Sequence, residues 1–496
     1  MLSLATGIAN LVISVIQSFW LISYIQSYMG MAAYSYISVV IGVVNLTQVL
    51  TVAFTAVSSR YISVAMHEKD HDRACSLFNS IFFTLLSISI LFIIVGFFTD
   101  INIDKIMNVE PEYVSQVQAL FAIIGASLII NIITTPFAAG VFYRNKIYIS
   151  NLLGIGVYCA RIVSSLLLYQ MFEPQLWYAY LGSLIAEVCV LLFYICKYKN
   201  WLPSIHISIK KFDIRIVKEI LHTGVWVSIS KCGSLMLSNI SMYLSNLLFP
   251  ALLVGLYASV SQFPSAVFML TSMLVTCFTP LIYLLYAKKE IGEFRVLVRS
   301  ASKTIGCVSG VLCGGIIVFG CDFLSMWLNQ ELHEYTLLVT LMVIYLPATY
   351  ICEVYNQALI AYGETKWPAI TLLASGIVNV LSILILTSFS HLSIYAIPIS
   401  LMIARLPRVL IYFPAHIAHL TNTKIRYLLG DMGVACIALI FAVIVGYITR
   451  QIIIPTSWTL LIVDAAIVAI ITMPTLYIFG FNKEEKAMVL RIRESN

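Results

Sequence analysis

The sequence predicts an all-α polytopic membrane protein of about fourteen transmembrane helices, arranged as two six-helix lobes in a parallel internal repeat with two further helices at the C-terminal end. Three observations predict it. Of 496 residues, 60% are hydrophobic and only 10% charged, with a mean hydropathy of +0.96, far too apolar for a water-soluble chain. Apolar stretches of roughly twenty residues, enough for a helix to cross about 30 Å of hydrocarbon, recur along the whole length. Short residue matches also recur at an offset near 220, the signature of an internal duplication.

The spans read as approximately 4–27, 34–59, 76–98, 114–136, 151–169, 177–196, 222–248, 257–284, 304–327, 335–359, 368–388, 393–414, 430–449 and 456–479. Each is read as helical because backbone in hydrocarbon must satisfy its own hydrogen bonds, and strand-like alternation is not dominant. The first stretch is too long for a signal-peptide core and has no basic leader, so it is expected to remain as span one. The eleven cysteines lie nearly all inside spans, so no disulfide framework is expected.

Charge sets the orientation. With both termini inside, most of the 29 Lys and Arg residues fall in inner loops and the tail, including Arg299, Lys303, Arg491 and Arg493, while the outer loops hold only Lys105 and Arg450. The formal charge of +6 is therefore topological, pointing to anionic lipid at the inner face and away from nucleic acid. A multi-pass protein of a bacterial inner membrane with both ends cytoplasmic is expected.

The longest loop, 197–221, is basic and follows six spans, which makes it the natural linker between the two halves. Thr6-Gly7 recurs as Thr223-Gly224, Lys146 as Lys366, Gly156 as Gly376, and Ile185-Ala186-Glu187 as Ile403-Ala404-Arg405. The expected organisation is an N-terminal lobe over 1–196, a linker over 197–221, a second lobe over 222–420, and two added helices with a tail over 421–496. Six spans per half is an even number, so the halves relate by an axis along the membrane normal, and substrate sites in such transporters lie between halves.

Three local motifs read as structure. His67-Glu68-Lys69-Asp70-His71-Asp72 matches both H-E-x-x-H and D-x-D metal patterns, but a short charged loop lacks the helix face and walled cleft of a metal centre, and no metal or other cofactor is expected. Gly363-Glu364-Thr365-Lys366 lacks a phosphate-binding frame and reads as a turn between helices. Gly306, Gly310 and Gly314, four residues apart, form a small-residue stripe for close helix approach.

Charges inside the spans carry more functional information, because each is costly in hydrocarbon and faces protein or a wet cavity. They are Arg161, Glu187, Lys231, Glu353, Arg405, Arg408 and Asp464. Arg161 and Glu187 fall at one depth of adjacent spans and read as a structural pair. Lys231 and Glu353 have depths that permit a second pair. Arg405 and Arg408 sit about one helical turn apart with no equal-depth acid evident in the sequence. The balance favours a mildly cationic cavity suited to a phosphate-bearing substrate, with Glu353 and Asp464 left as candidates for ion coupling.

Particular segments then carry a family likeness. Gly30-Met31-Ala32-Ala33-Tyr34 before the second span, Ser59-Arg60-Tyr61-Ile62 closing it, and the turn Ala361-Tyr362-Gly363-Glu364-Thr365-Lys366-Trp367-Pro368 resemble segments of the Wzx-like lipid-linked oligosaccharide flippases, a branch of the multidrug and polysaccharide exporter superfamily. The resemblance implies a MATE-like V of two lobes and alternating access. It implies flipping of an undecaprenyl-diphosphate-linked repeat unit to the periplasmic leaflet for surface polysaccharide or O-antigen assembly. It favours Lys231, and with it Arg60 and Arg161, as cavity cations, beside the Arg405 and Arg408 that the charge inventory supplies. Implied partners are the lipid-linked oligosaccharide, membrane lipids, and a polysaccharide polymerase with its chain-length regulator, around a monomeric transport unit. Span one departs from the family in carrying Gln17 and Gln26 where a basic residue is usual.

The competing readings are an ion-coupled multidrug exporter or a peptidoglycan-precursor flippase of the same superfamily and, from another class, a membrane polymerase or glycosyltransferase. The absence of a large outer loop or catalytic domain weighs against an enzyme. Without a nucleotide site, the driving force is expected to be an ion gradient or consumption of the product.

Overall fold

The computed structural model describes residues 2–389 and 392–486, so Arg491 and Arg493 of the basic tail lie outside the described residues. It is helical throughout, with no strand among the described residues. The chain packs as two compact units, Met1–Leu256 and Tyr257–Asn496.

The first unit contains α1 (Leu2–Leu46), α2 (Gln48–His67), α3 (His71–Ile101), the single turn α4 (Ile103–Ile106), α5 (Val114–Tyr143), α6 (Ile147–Met171), α7 (Tyr178–Trp201) and α8 (Ile214–Leu248). Continuous helical pairing hides a break in α1, because Gly30 has φ 82° and ψ 171°. That region of backbone space is essentially reserved for glycine, so the glycine opening the Gly30–Tyr34 motif is what lets spans one and two turn into each other. Phe54, Phe78, Ile81, Leu85, Phe137 and Tyr198 form part of the unit's core. Phe137 meets Phe78 at 5.3 Å and Tyr198 at 5.6 Å, both edge to face, a favoured aromatic geometry.

The basic linker is pinned to α3. Asn79, fully buried, donates to the His206 carbonyl at 2.8 Å and accepts from the Ser208 amide at 2.8 Å. Ser80 Oγ accepts from the Asp213 amide at 2.9 Å, and Lys211 pairs with Asp72 at 3.0 Å. α8 then packs against α1 and α2, inside the first unit. The boundary between the two compact units therefore falls one helix later than the 197–221 segment expected to link the two halves.

Thirteen helices among the described residues are long and apolar enough to cross a membrane. The 35-residue α8 is not one of them, because Ser228, Ser230, Lys231, Ser234, Ser238, Asn239 and Ser241 interrupt its apolar surface. At about 1.5 Å per residue it is nonetheless long enough. Together they match the fourteen spans expected.

The second unit begins within α9 (Ala251–Val260) and continues with α10 (Gln262–Ala287), α11 (Ile291–Leu328), α12 (Thr336–Val343), α13 (Leu346–Ala361), α14 (Lys366–Phe389), α15 (Ala396–Pro407), α16 (Phe413–Thr421), α17 (Ile425–Ile452) and α18 (Trp458–Gly480). Its centre is α11, packed by α10, α13, α17 and α18. The glycine stripe is the contact surface for α17. A Cβ on Gly306 would come within 2.9 Å of the Ala435 methyl, one on Gly310 within 2.8 Å of both the Ala435 carbonyl oxygen and the Ala438 methyl, and one on Gly314 within 2.6 Å of the Ala442 methyl. Small residues on both helices thus allow the close approach the stripe predicted.

Ion pairs close one end of this contact. Arg299 grips Asp431 of α17 with Nε and Nη2 at 3.2 and 3.1 Å. Lys303 donates to Glu485 at 2.8 Å and to the Gly480 carbonyl at 3.2 Å. The sequence places Arg299 and Lys303 in an inner loop; they instead lie on the early turns of α11, where acids from beyond α16 neutralise them.

Candidate functional site

The charges expected to act separately on spans ten and twelve converge in the second unit. Between α15 and α16 the chain makes a single π-helical turn, Arg408–Tyr412, in which the Phe413 amide donates to the Arg408 carbonyl. Pro414 explains the need for it. A proline in the first turn of a resumed helix has no amide to donate, and its ring crowds the carbonyl four residues earlier, so one extra residue in the turn relieves the clash.

That turn sets the two arginines. Arg408 donates from Nε to Thr371 Oγ1 at 3.3 Å and from Nη2 to the Pro368 carbonyl at 3.4 Å, with its guanidinium 4.5 Å from the Phe413 ring centre. Arg405 lies 5.9 Å from the ring centre of Tyr345, and its buried Nε has no hydrogen-bond partner among the described residues. Glu353 on α13 interacts electrostatically with both. This corrects the expectation that the arginines lack an acid: depth counted from helix ends locates a residue along the axis, but contact also depends on which face it occupies. Two permanent cations against one carboxylate leave the cluster with one positive charge in excess, and the orphaned Arg405 Nε is a donor still to be used.

In the first unit, Arg161 donates from Nε to the Ala179 carbonyl at 2.9 Å, and its guanidinium lies 3.5 Å from the Tyr180 ring centre. Glu187 interacts with Ser127 and Asn131 of α5 and, electrostatically, with Arg161. The two are therefore neighbours in charge, while the shortest contacts of Arg161 are with a carbonyl and a ring. Lys231 is half-buried on the polar helix α8. Arg60 is exposed on α2.

Asp464 is fully buried on α18, and neither of its carboxylate oxygens has a hydrogen-bond partner among the described residues. Asp322 is a further charge inside span nine, and Arg450 reads from the sequence as an outer-loop residue. Arg450 lies on the last turn of α17 and donates to Asp322 at 2.9 Å. Asp322 is legible in the sequence as an acid within the apolar stretch 304–327. Asp431 sits at the edge of its span and could be recognised only through Arg299.

The metal-like loop is accounted for by structure. Asp70 caps α3 by accepting from the Arg73 amide at 3.0 Å, Asp72 pairs with Lys211, and the His67 ring packs 4.9 Å from that of Tyr143. Gly363 takes a left-handed φ of 79° in the turn before α14, the role expected of the Ala361–Pro368 segment. All eleven cysteines are free.

No family model matches the chain. It is 26% identical over 511 aligned positions to EpsK of Bacillus subtilis (strain 168), described as an uncharacterized membrane protein, covering 99% of this chain and 97% of that one. Its structure is similar to that of the lipid II flippase MurJ in an inward closed conformation, with a TM-score of 0.68 at 15% identity over 96% of this chain and 98% of that one. It is equally similar, at TM-score 0.68 and 15% identity, to an inward-facing multidrug resistance MATE family transporter of the MOP superfamily, over 82% of this chain and 95% of that one. The chain thus has the MATE and MurJ fold.

Proposed function

We propose that this chain is a transporter that works by alternating access and flips an undecaprenyl-diphosphate-linked oligosaccharide from the cytoplasmic to the outer leaflet of a bacterial cytoplasmic membrane, for assembly of a surface polysaccharide. The observation that carries the reading is the extent of the likeness to the lipid II flippase, 96% of this chain against 98% of that one, whereas the drug transporter matches 82% of this chain. A fold shared to that extent with a lipid II flippase supports a lipid-linked substrate. The bacterial membrane protein EpsK, matched nearly end to end, agrees with a bacterial membrane setting.

Chemistry points the same way. A diphosphate needs cations that can be reached without a second anion cancelling them, and Arg405 and Arg408 share a single acid, Glu353. Lys231 on the polar α8, with Arg60 and Arg161, supplies the candidates from the first unit. Replacing Lys231, Arg405 and Arg408 singly with alanine and measuring polysaccharide export by complementation tests this reading. At least one variant is expected to lose tenfold or more in export at normal membrane abundance, corresponding to about 1.4 kcal/mol of lost substrate interaction; full export by all three would overturn the assignment of these cations.

A further inference from the structure

We propose that Asp464, with Asp322 and Arg450, forms a buried proton-binding site at the end of the second unit opposite the Arg299–Lys303 network. The site joins α11, α17 and α18 and lies outside the Glu353 cluster. It does not depend on what the protein transports.

The argument is one of charge and hydrogen-bond balance. Asp464 has no exposed surface, and among the described residues neither of its carboxylate oxygens has a partner. Asp322, 8% exposed, accepts from Arg450 Nη2 at 2.9 Å through Oδ1, while its Oδ2 is also buried and unpartnered. Arg450 is already divided between that carboxylate and the Val318 carbonyl, to which Nη1 donates at 3.0 Å. Asp464 interacts electrostatically with both Asp322 and Arg450. Among the described residues, two buried carboxylates therefore share one permanent cation, and three carboxylate oxygens have nothing to accept.

Burying an ionised carboxylate with neither ion partner nor donor is among the costliest arrangements a protein can hold, and the usual resolution is neutralisation. One proton restores the balance. The Asp464 carboxylate takes up H⁺ to become a carboxylic acid, leaving the Asp322 carboxylate matched by Arg450, and no electron is transferred. A divalent ion is disfavoured by Arg450, and no group of three metal-ligating side chains occurs among the described residues. Among the described residues, the other titratable groups around the site are Cys321 on α11 and His333, whose Nε2 lies 3.8 Å from Asp322 and 3.9 Å from Glu331. His333 is half exposed and faces Asp322, so it adds a second titration that the test must remove.

The sign follows from linkage. A folded state that keeps a proton which the unfolded chain has released loses stability as pH rises, until the folded state releases it too. Thermal and denaturant unfolding of the detergent-purified full chain, from about pH 5 to about pH 9, compares His333→Gln with His333→Gln/Asp464→Asn. The chain retaining Asp464 is expected to show an unfolding constant that rises with pH by up to about tenfold per unit more steeply than the Asn chain. Equal pH slopes would overturn the proposal. If the Asn chain fails to fold, infrared spectroscopy of the wild type at neutral pH decides: a carboxylic-acid carbonyl band that shifts in D₂O is expected, and its absence overturns the site. Exchange of potassium for sodium at fixed ionic strength should leave the melting temperature unchanged; a sodium-specific rise that depends on Asp464 would identify a metal ion as the occupant and likewise overturn it.

Discussion

Asp431 has no exposed surface and holds Arg299 in a two-point grip, with Lys303 3.9 Å away. Removing one member of a buried ion pair leaves the others with uncompensated charge, which costs about 3–5 kcal/mol. Asp431→Ala is therefore expected to lower the melting temperature of the purified protein clearly, and an unchanged melting temperature would show the network to be dispensable. Gly30 offers a backbone counterpart. Alanine at φ 82°, ψ 171° is strained by roughly 1–3 kcal/mol although no neighbouring atom blocks its Cβ, so Gly30→Ala should destabilise through conformation alone. Residue-level features of this kind were unevenly legible. Gly30 and Gly363 stood out within family-like segments, and the buried charges stood out by hydropathy. Their partners did not, because Arg299 and Asp431 are 132 residues apart and nothing local in either segment announces the other.

The helices themselves follow closely from composition, since a chain in hydrocarbon has few alternatives to satisfying its amides internally. Where the ends extend beyond the apolar windows, as at α8 and α11, polar surface had concealed them: the linker side of α8 carries Arg215, Lys218 and Glu219, and α11 begins with charged residues that acquire acids only in the folded unit. The stripe Gly306-Gly310-Gly314 was readable as a packing face, but its partner, the Ala435-Ala438-Ala442 face of α17, belongs to a pair of helices that read as an appendage. The structure makes that pair part of the core around α11. Gly310→Leu should force α11 and α17 apart at a cost of about 1–3 kcal/mol, as overpacking does. Gly315→Ala on the same helix, where a Cβ meets nothing within 4 Å, should be neutral or stabilising by up to about 1 kcal/mol. Equal effects of the two substitutions on thermal unfolding would contradict a stripe that acts through close contact. The π-helical turn at Arg408–Tyr412 was not legible, because Pro407 and Pro414 signal disruption without saying whether the helix will kink, stop or take in a residue.

At the scale of the whole molecule, the sequence supports many helices and their orientation, and the comparisons give the fold in which those helices are arranged. What the proposed transporter carries is a question of chemistry, and the candidate chemistry is an excess of guanidinium charge over carboxylate around Glu353. The most direct measurement places the purified full chain in liposomes with an undecaprenyl-diphosphate-linked oligosaccharide and follows the fraction of glycan that an impermeant lectin or glycosidase can reach. Glycan initially confined to the inner leaflet is expected to become accessible only in vesicles containing the protein, with the rate reduced tenfold or more by Arg405→Ala or Arg408→Ala. Accessibility no faster than in protein-free vesicles, together with protein-dependent movement of cationic drugs, would contradict the account.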